Sequence, residues 1–110
     1  MRLPNAERAV VSIGKLLEYS LNPHHEAGQH KARVFKSALG ITIEDAEWLR
    51  EWVLQAVQTS EAVARPASPF GEHYAVDILI EHEGRKALVR TAWIIEYGTD
   101  FPRLTSCYVL

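Results

Sequence analysis

The 110-residue sequence predicts an α+β fold: three N-terminal helices packed on one face of a C-terminal antiparallel sheet of three to four strands. Apolar residues recur with a period of about 3.6 up to Ser60 and of about 2 from His73 onward. The breaker-rich segment Arg65-Pro66-Ala67-Ser68-Pro69-Phe70-Gly71 lies between the two regimes. Helices first and strands afterwards argue for segregated layers rather than alternating βαβ units. With 47% apolar residues the chain can bury a real core as one domain over 1–110, a helical half at 1–60 and a sheet half at 61–110.

Each element has a local reason. Ser12 is a candidate N-cap for a helix carrying Ile13, Leu16, Leu17 and Tyr19-Ser20-Leu21, which Asn22-Pro23 ends. His24 to Gly28 reads as a polar loop. A second helix runs from about Gln29 to Leu39 and stops at Gly40. Thr42 begins a third, with Asp45 three residues on as a variant capping box and a stripe of Ala46, Leu49, Val53, Ala56 and Val57. Trp48 and Trp52 lie on an adjacent face, covering the core edge. Glu61 to Ala64 forms at most a short strand. His73 to His82 alternates, with Tyr74, Val76, Ile78 and Ile80 on one face. Glu83-Gly84 turns the chain into a returning strand, Lys86 to Tyr97, and Leu104 to Leu110 is the last strand. The expected core is Leu16, Leu17, Phe35, Leu39, Leu49 and Val53 against Tyr74, Val76, Ile78, Val89 and Trp93.

Composition narrows the function. The formal net charge is −2, which counts against a general nucleic-acid binder. Charge is unevenly spread: Ala27–Ile43 holds Lys31, Arg33 and Lys36 and no acid, whereas Glu44–Glu51 sets Glu44, Asp45, Glu47 and Glu51 against Arg50. No apolar run approaches the roughly 18 residues of a membrane helix. The opening Met1-Arg2-Leu3-Pro4-Asn5 lacks signal-peptide features. A single cysteine, Cys107, excludes an intrachain disulfide framework. These features lead us to expect a cytoplasmic protein with no membrane partner.

The candidate chemistry rests on few residues. His30 and Lys31 stand at the start of the second helix, where partial positive charge favours an anion such as phosphate. The alternative is a lysine that lays its stem on the core and holds its ammonium in water. Arg90 lies mid-strand among apolar neighbours, where a charge needs a partner. That partner is Asp77 or Glu81 across the hairpin, or else a ligand phosphate gripped in bidentate fashion. Arg103 precedes the last strand, in which Thr105 alternates with Cys107 and Val109, and Ser106 with Tyr108; strand propensity alone also accounts for these hydroxyls. His24, His25, Glu26 and His30 lack the paired spacing of a zinc site, so no metal or other cofactor is expected. Cys107 suits a small buried hydrophobe.

The segments Leu3-Pro4-Asn5-Ala6, Lys15-Leu16, Tyr19-Ser20-Leu21, Gly28-Gln29-His30-Lys31-Ala32-Arg33-Val34-Phe35 and Leu39-Gly40 continue into Gly71 with Tyr74, Arg90-Thr91-Ala92-Trp93-Ile94 and Phe101-Pro102-Arg103-Leu104-Thr105-Ser106-Cys107-Tyr108. On them the chain resembles a small bacterial domain family of unknown function. More loosely, the order of elements, with a His–Lys pair on a helix and Arg, Thr and Tyr on strands, resembles the EndoU, colicin D and RelE group of toxin ribonucleases. That resemblance implies metal-independent RNA cleavage, with His30 as acid or base and Lys31 on the phosphate. Arg90 would stabilise the pentavalent phosphate, Thr105 or Tyr108 would orient it, and Arg33, Arg103 and Tyr108 would bind substrate. It also implies a small cognate antitoxin or immunity protein as partner. The chain departs from the group in its slight acidity and in lacking the second histidine of the EndoU type, for which His73 and His82 are the available substitutes. The competing expectation is a non-catalytic protein-interaction module working through Trp48, Trp52 and the acidic helix.

Overall fold

The computed structural model describes residues 1–110 and is α+β. A short α1, Ile13–Lys15, runs on as a π-helical turn, Leu16–Ser20, and is followed by α2, Gln29–Leu39, and α3, Ala46–Ala56. The strands are β1, Ala62–Ser68, β2, Gly71–His82, β3, Arg85–Glu96, and β4, Arg103–Val109. They form one antiparallel meander in the order β1-β2-β3-β4. Two consecutive residues with positive φ, Glu83 at 49° and Gly84 at 78°, close the β2–β3 hairpin, as a two-residue primed turn requires.

The helices are not confined to the N-terminus. α3 crosses the middle of the chain, and the first ten residues carry isolated bridges at Arg2 and Val10 on either side of a turn at Pro4-Asn5 and a 3₁₀ turn, Ala6–Arg8. These ten residues form a strap that ties both sheet edges. Met1 O accepts from Ala62 N at the β1 edge, Val10 N donates to Pro102 O, and Val10 O accepts from Leu104 N at the β4 edge. The first helix also departs from expectation, because Ser12 makes no side-chain cap bond and the π turn rotates Leu17 out to solvent. The capping box forms as spaced: Asp45 Oδ2 accepts from Thr42 N at 2.9 Å, at the head of a 3₁₀ turn that leads into α3. Gly40, at φ 66°, ends α2, donating to Lys36 O, and Ile41 N donates to Phe35 O.

Only Pro69-Phe70 of the breaker-rich segment is a connection. Residues up to Ser68 belong to β1, and Pro66 sits at a register shift between Arg65 and Ser68. β1 is an edge strand, where the missing proline N–H removes no ladder bond. β4 carries the other irregularity. Ser106 pairs with Ala92 and Leu104 with Trp93, so Thr105 is the extra residue of a bulge. The bulge lets both Leu104 and Cys107 turn inward despite their odd spacing.

Leu16, Phe35, Leu39, Leu49 and Val53 share one core with Tyr74, Val76, Ile78, Ile80, Val89, Trp93, Leu104 and Cys107. The strap adds Leu3, Ala6 and Val11. Thr91 and Trp93 satisfy each other inside this core: Thr91 Oγ1 donates to Val76 O at 2.7 Å and accepts from Trp93 Nε1 at 2.8 Å, whereas the buried Ser20 hydroxyl has no protein partner. The opposite sheet face carries no helix side chain in this core and is the face available for chemistry.

Candidate functional site on the outer sheet face

Strand register builds this face in rows. Ala75 and Ala92 pair with each other, and Ala92 with Ser106, forming a floor of small side chains. On one side lies the row Arg65, His73, Ile94 and Arg103; on the other lies Asp77, Arg90 and Tyr108. Small residues between two rows of long polar ones leave a hollow of about 380 Å³, bordered by Arg65, Pro66, His73, Arg90 and Tyr108.

Arg90 answers its own puzzle. Its Nε donates to Asp77 Oδ1 at 2.8 Å and its Nη2 to Asp77 Oδ2 at 2.9 Å, a planar two-bond fork. The hydrogen bonds from Arg90 hold the Asp77 carboxyl below the usual carboxylate range, against some desolvation. Asp77 in turn raises the Arg90 guanidinium, with Tyr108 adding to the effect from the neighbouring strand. The fork fixes the guanidinium plane at the rim of the hollow. Across the floor, His73 Nε2 shares a hydrogen bond of 2.8 Å with Ser68 Oγ.

Lys31 reaches this face only at its edge. Its Nζ lies 5.0 Å from the centroid of the Tyr108 ring and 5.3 Å from that of Tyr19, a cation held between two aromatic faces. Tyr19 in turn meets His25 edge-on at 4.7 Å. His25 Nδ1 accepts from Ala27 N and Gly28 N at 3.0 Å each, so this ring secures the entry to α2.

The remaining candidates lie elsewhere. His30 is exposed on α2, and Arg33 is exposed with only a 3.5 Å contact from Nη2 to Gln29 Oε1. Arg103 Nε donates to Glu96 Oε1 at 3.1 Å, and the Thr105 hydroxyl donates to Ala92 O at 3.1 Å inside the bulge. The hollow that Arg90 and Tyr108 border is therefore not lined by His30, Lys31, Arg103 or Thr105. Of the two histidines available as substitutes, His73 borders the hollow and His82 does not, and Arg65 is a lining residue that the sequence pattern does not single out. Treating Arg65–Gly71 as a connection hid β1, and with it the pairing that sets Arg65 opposite His73.

Burial pushes the Cys107 thiol up to about 12, with the charge of Lys31 opposing weakly. Such a thiol is a packing group rather than a nucleophile. A separate apolar groove of about 510 Å³ runs along α3 beside Trp48, Trp52, Ala56 and Leu79. Its indoles lie 5.2 Å apart between centroids, and Trp52 Nε1 donates to Leu79 O at 3.1 Å.

Comparison with curated proteins and with solved structures returns no match for this chain. A family model described as a domain of unknown function, DUF6883, matches residues 2–110, an interval that contains all of the strap but Met1, all three helices and all four strands. The match thus spans nearly the whole chain, and the chain belongs to the DUF6883 family.

Proposed function

We propose that the protein is a metal-independent ribonuclease-like toxin of the cytoplasm, held in check by a small cognate antitoxin or immunity protein. One observation carries this reading: the Asp77-anchored Arg90 fork faces His73 and Arg65 across a floor of alanines. His73 and Asp77 are four residues apart on β2, about 13 Å between backbone positions, so the two rows reach one phosphate only by leaning inward over the alanine floor. His73 takes the proton of the ribose 2′-hydroxyl, whose oxygen attacks the adjacent phosphorus. The bond to the 5′-oxygen breaks, leaving a 2′,3′-cyclic phosphate, and the Tyr108 hydroxyl protonates the departing oxygen. Arg90 and Arg65 hold the charge that develops on the phosphoryl oxygens. Lys31, lying over the Tyr108 ring, positions that phenol. DNA lacks the attacking hydroxyl, so cleavage is confined to RNA. His73 replaces His30 as the acid–base group in this scheme, and Arg103 and Thr105 act as supports of the sheet.

The test is cleavage of end-labelled RNA by purified protein in the presence of EDTA. Arg90→Ala and His73→Ala are each expected to lower the rate by ~10²–10³-fold while the far-ultraviolet circular dichroism is retained. Intact RNA with the wild-type protein, or full activity in both variants, rejects the proposal. The alternative, a non-catalytic interaction module, is favoured by the Trp48–Trp52–Leu79 groove and stands if RNA remains intact.

A further inference from the structure

The basic helix is the strongest motif in the sequence, yet only Lys31 of its three cations approaches the sheet face. Arg33 and Lys36 point to a different place. Together with Leu21, Ala32, Ile41 and Ile43 they line a groove of about 320 Å³ between α2 and the turn that follows it. No strand residue lines this groove, so it is separate from the hollow described above. Its floor is apolar, and the exposed side chain of Ile43 extends it toward solvent.

Neither rim cation is neutralised. The chain forms six ion pairs, and Arg33 and Lys36 belong to none of them. Of the acids in the following segment, Asp45 closes the capping box and Glu51 pairs with Arg50 at 3.2 Å, and neither Glu44 nor Glu47 forms an ion pair with Arg33 or Lys36. An apolar trough between two unpaired cations is complementary to a segment that presents apolar side chains flanked by carboxylates. We infer that this groove is the docking site for an acidic amphipathic segment of a partner protein. Apolar anchors of that segment enter between Ala32 and Ile43, and its carboxylates meet Arg33 and Lys36. The inference does not depend on RNA cleavage, because none of the groove residues belongs to the proposed catalytic set.

Two fluorescein-labelled 14-residue peptides test it, one built of leucine and glutamate in a helical repeat and one with lysine in place of glutamate. Fluorescence anisotropy with the full chain is expected to show the leucine–glutamate peptide binding at least about tenfold more tightly. Arg33→Glu with Lys36→Glu should abolish or reverse that preference, while Lys86→Glu, on β3 outside the groove, should leave it within about twofold. Ile43→Asp should weaken the same peptide. All four substitutions are at exposed positions, and each variant's thermal midpoint confirms that it is folded. Equal binding of the two peptides, or an unchanged preference in the Arg33/Lys36 double variant, overturns the inference. Displacement of the peptide by decanoate at equal concentration overturns it in favour of a small carboxylate amphiphile. Self-association of the free protein that the double variant loses overturns it in favour of a second copy of the chain.

Discussion

Thr91 shows how one side chain makes a large buried indole tolerable. Its hydroxyl donates to Val76 O and accepts from Trp93 Nε1, and both side chains are fully buried. Thr91→Val keeps the shape but leaves the indole N–H and the Val76 carbonyl without this partner. An unsatisfied buried group costs ~1–3 kcal/mol, so the urea midpoint of Thr91→Val should fall accordingly. Trp93→Phe in the Thr91→Val background removes the orphaned donor and should cost less than the two single changes added together. Asp77 supplies a pH-dependent effect at the same scale. Its carboxyl titrates below its ordinary value in the folded state because Arg90 donates two hydrogen bonds to it. Its stabilising contribution is therefore complete above the ordinary carboxylate range near pH ~4 and is lost as pH falls through the depressed folded value. Urea midpoints measured from pH 7 down to pH 2 should show an acid-side decline that Asp77→Asn makes shallower, with the two curves parallel above about pH 5.

Among the elements, α2 explains why its motif opens with glycine. A Cβ on Gly28 would lie 2.3 Å from the carbonyl oxygen of Tyr19, a backbone atom with no freedom to withdraw. The close approach brings Tyr19 under Lys31 and lets His25 accept from the amides of Ala27 and Gly28, just before the helix begins. Gly28→Ala should cost about 1–3 kcal/mol, the range for forced repacking, and should lower the thermal midpoint without changing the helix content of the folded state. Gly14→Ala is the control: its added Cβ would come no closer than 3.6 Å to Ser12 Oγ. The rest of the motif divides by helical face. Ala32 and Phe35 go to the core, Lys31 to the tyrosines, and Arg33 and Lys36 to the outer groove. Caps and turns were legible because their causes are local. Thr42 with Asp45, Gly40 and Glu83-Gly84 each act within a few residues of themselves. The β1 strand was not, since Pro66 opposes a strand in any local window and only the edge position makes it harmless.

The whole molecule is held by a strap that no period reveals. Residues 1–10 join the β1 edge to the β4 edge, and within them Leu3 and Ala6 are buried in the core. Helices, strap and sheet contribute to one core, which makes Cys107 a reporter of global opening. The thiol is fully buried on the core face of β4 and pushed up to about 12. A thiol-reactive reagent at pH 8 should leave it unmodified in the native protein. Its labelling rate should rise with urea in parallel with loss of the circular dichroism signal. Fast labelling without urea would mean that β4 opens separately from the rest.

Local pattern alone determined where α2, α3, the β2–β3 hairpin and the last strand form and which side of them is apolar. Phe35, Leu39, Leu49, Val53, Val76, Ile78 and Trp93 were all legible as core, because periodicity reports the choice of backbone conformation directly. Tertiary structure decided which polar residues meet. Arg90 had two possible carboxylates across the hairpin, and only the register of the Glu83-Gly84 turn selects Asp77. His73 and Arg65 become neighbours only because an edge strand accommodates a proline, and Lys31 meets Tyr108 only because α2 crosses β4. Leu17 leaves the core because a π turn adds a residue to the helical repeat, a change that apolar spacing does not encode. Such contacts are set by register and packing between residues far apart in the chain. A sequence pattern specifies the faces that meet, whereas the pairing of particular side chains follows from how those faces are brought together.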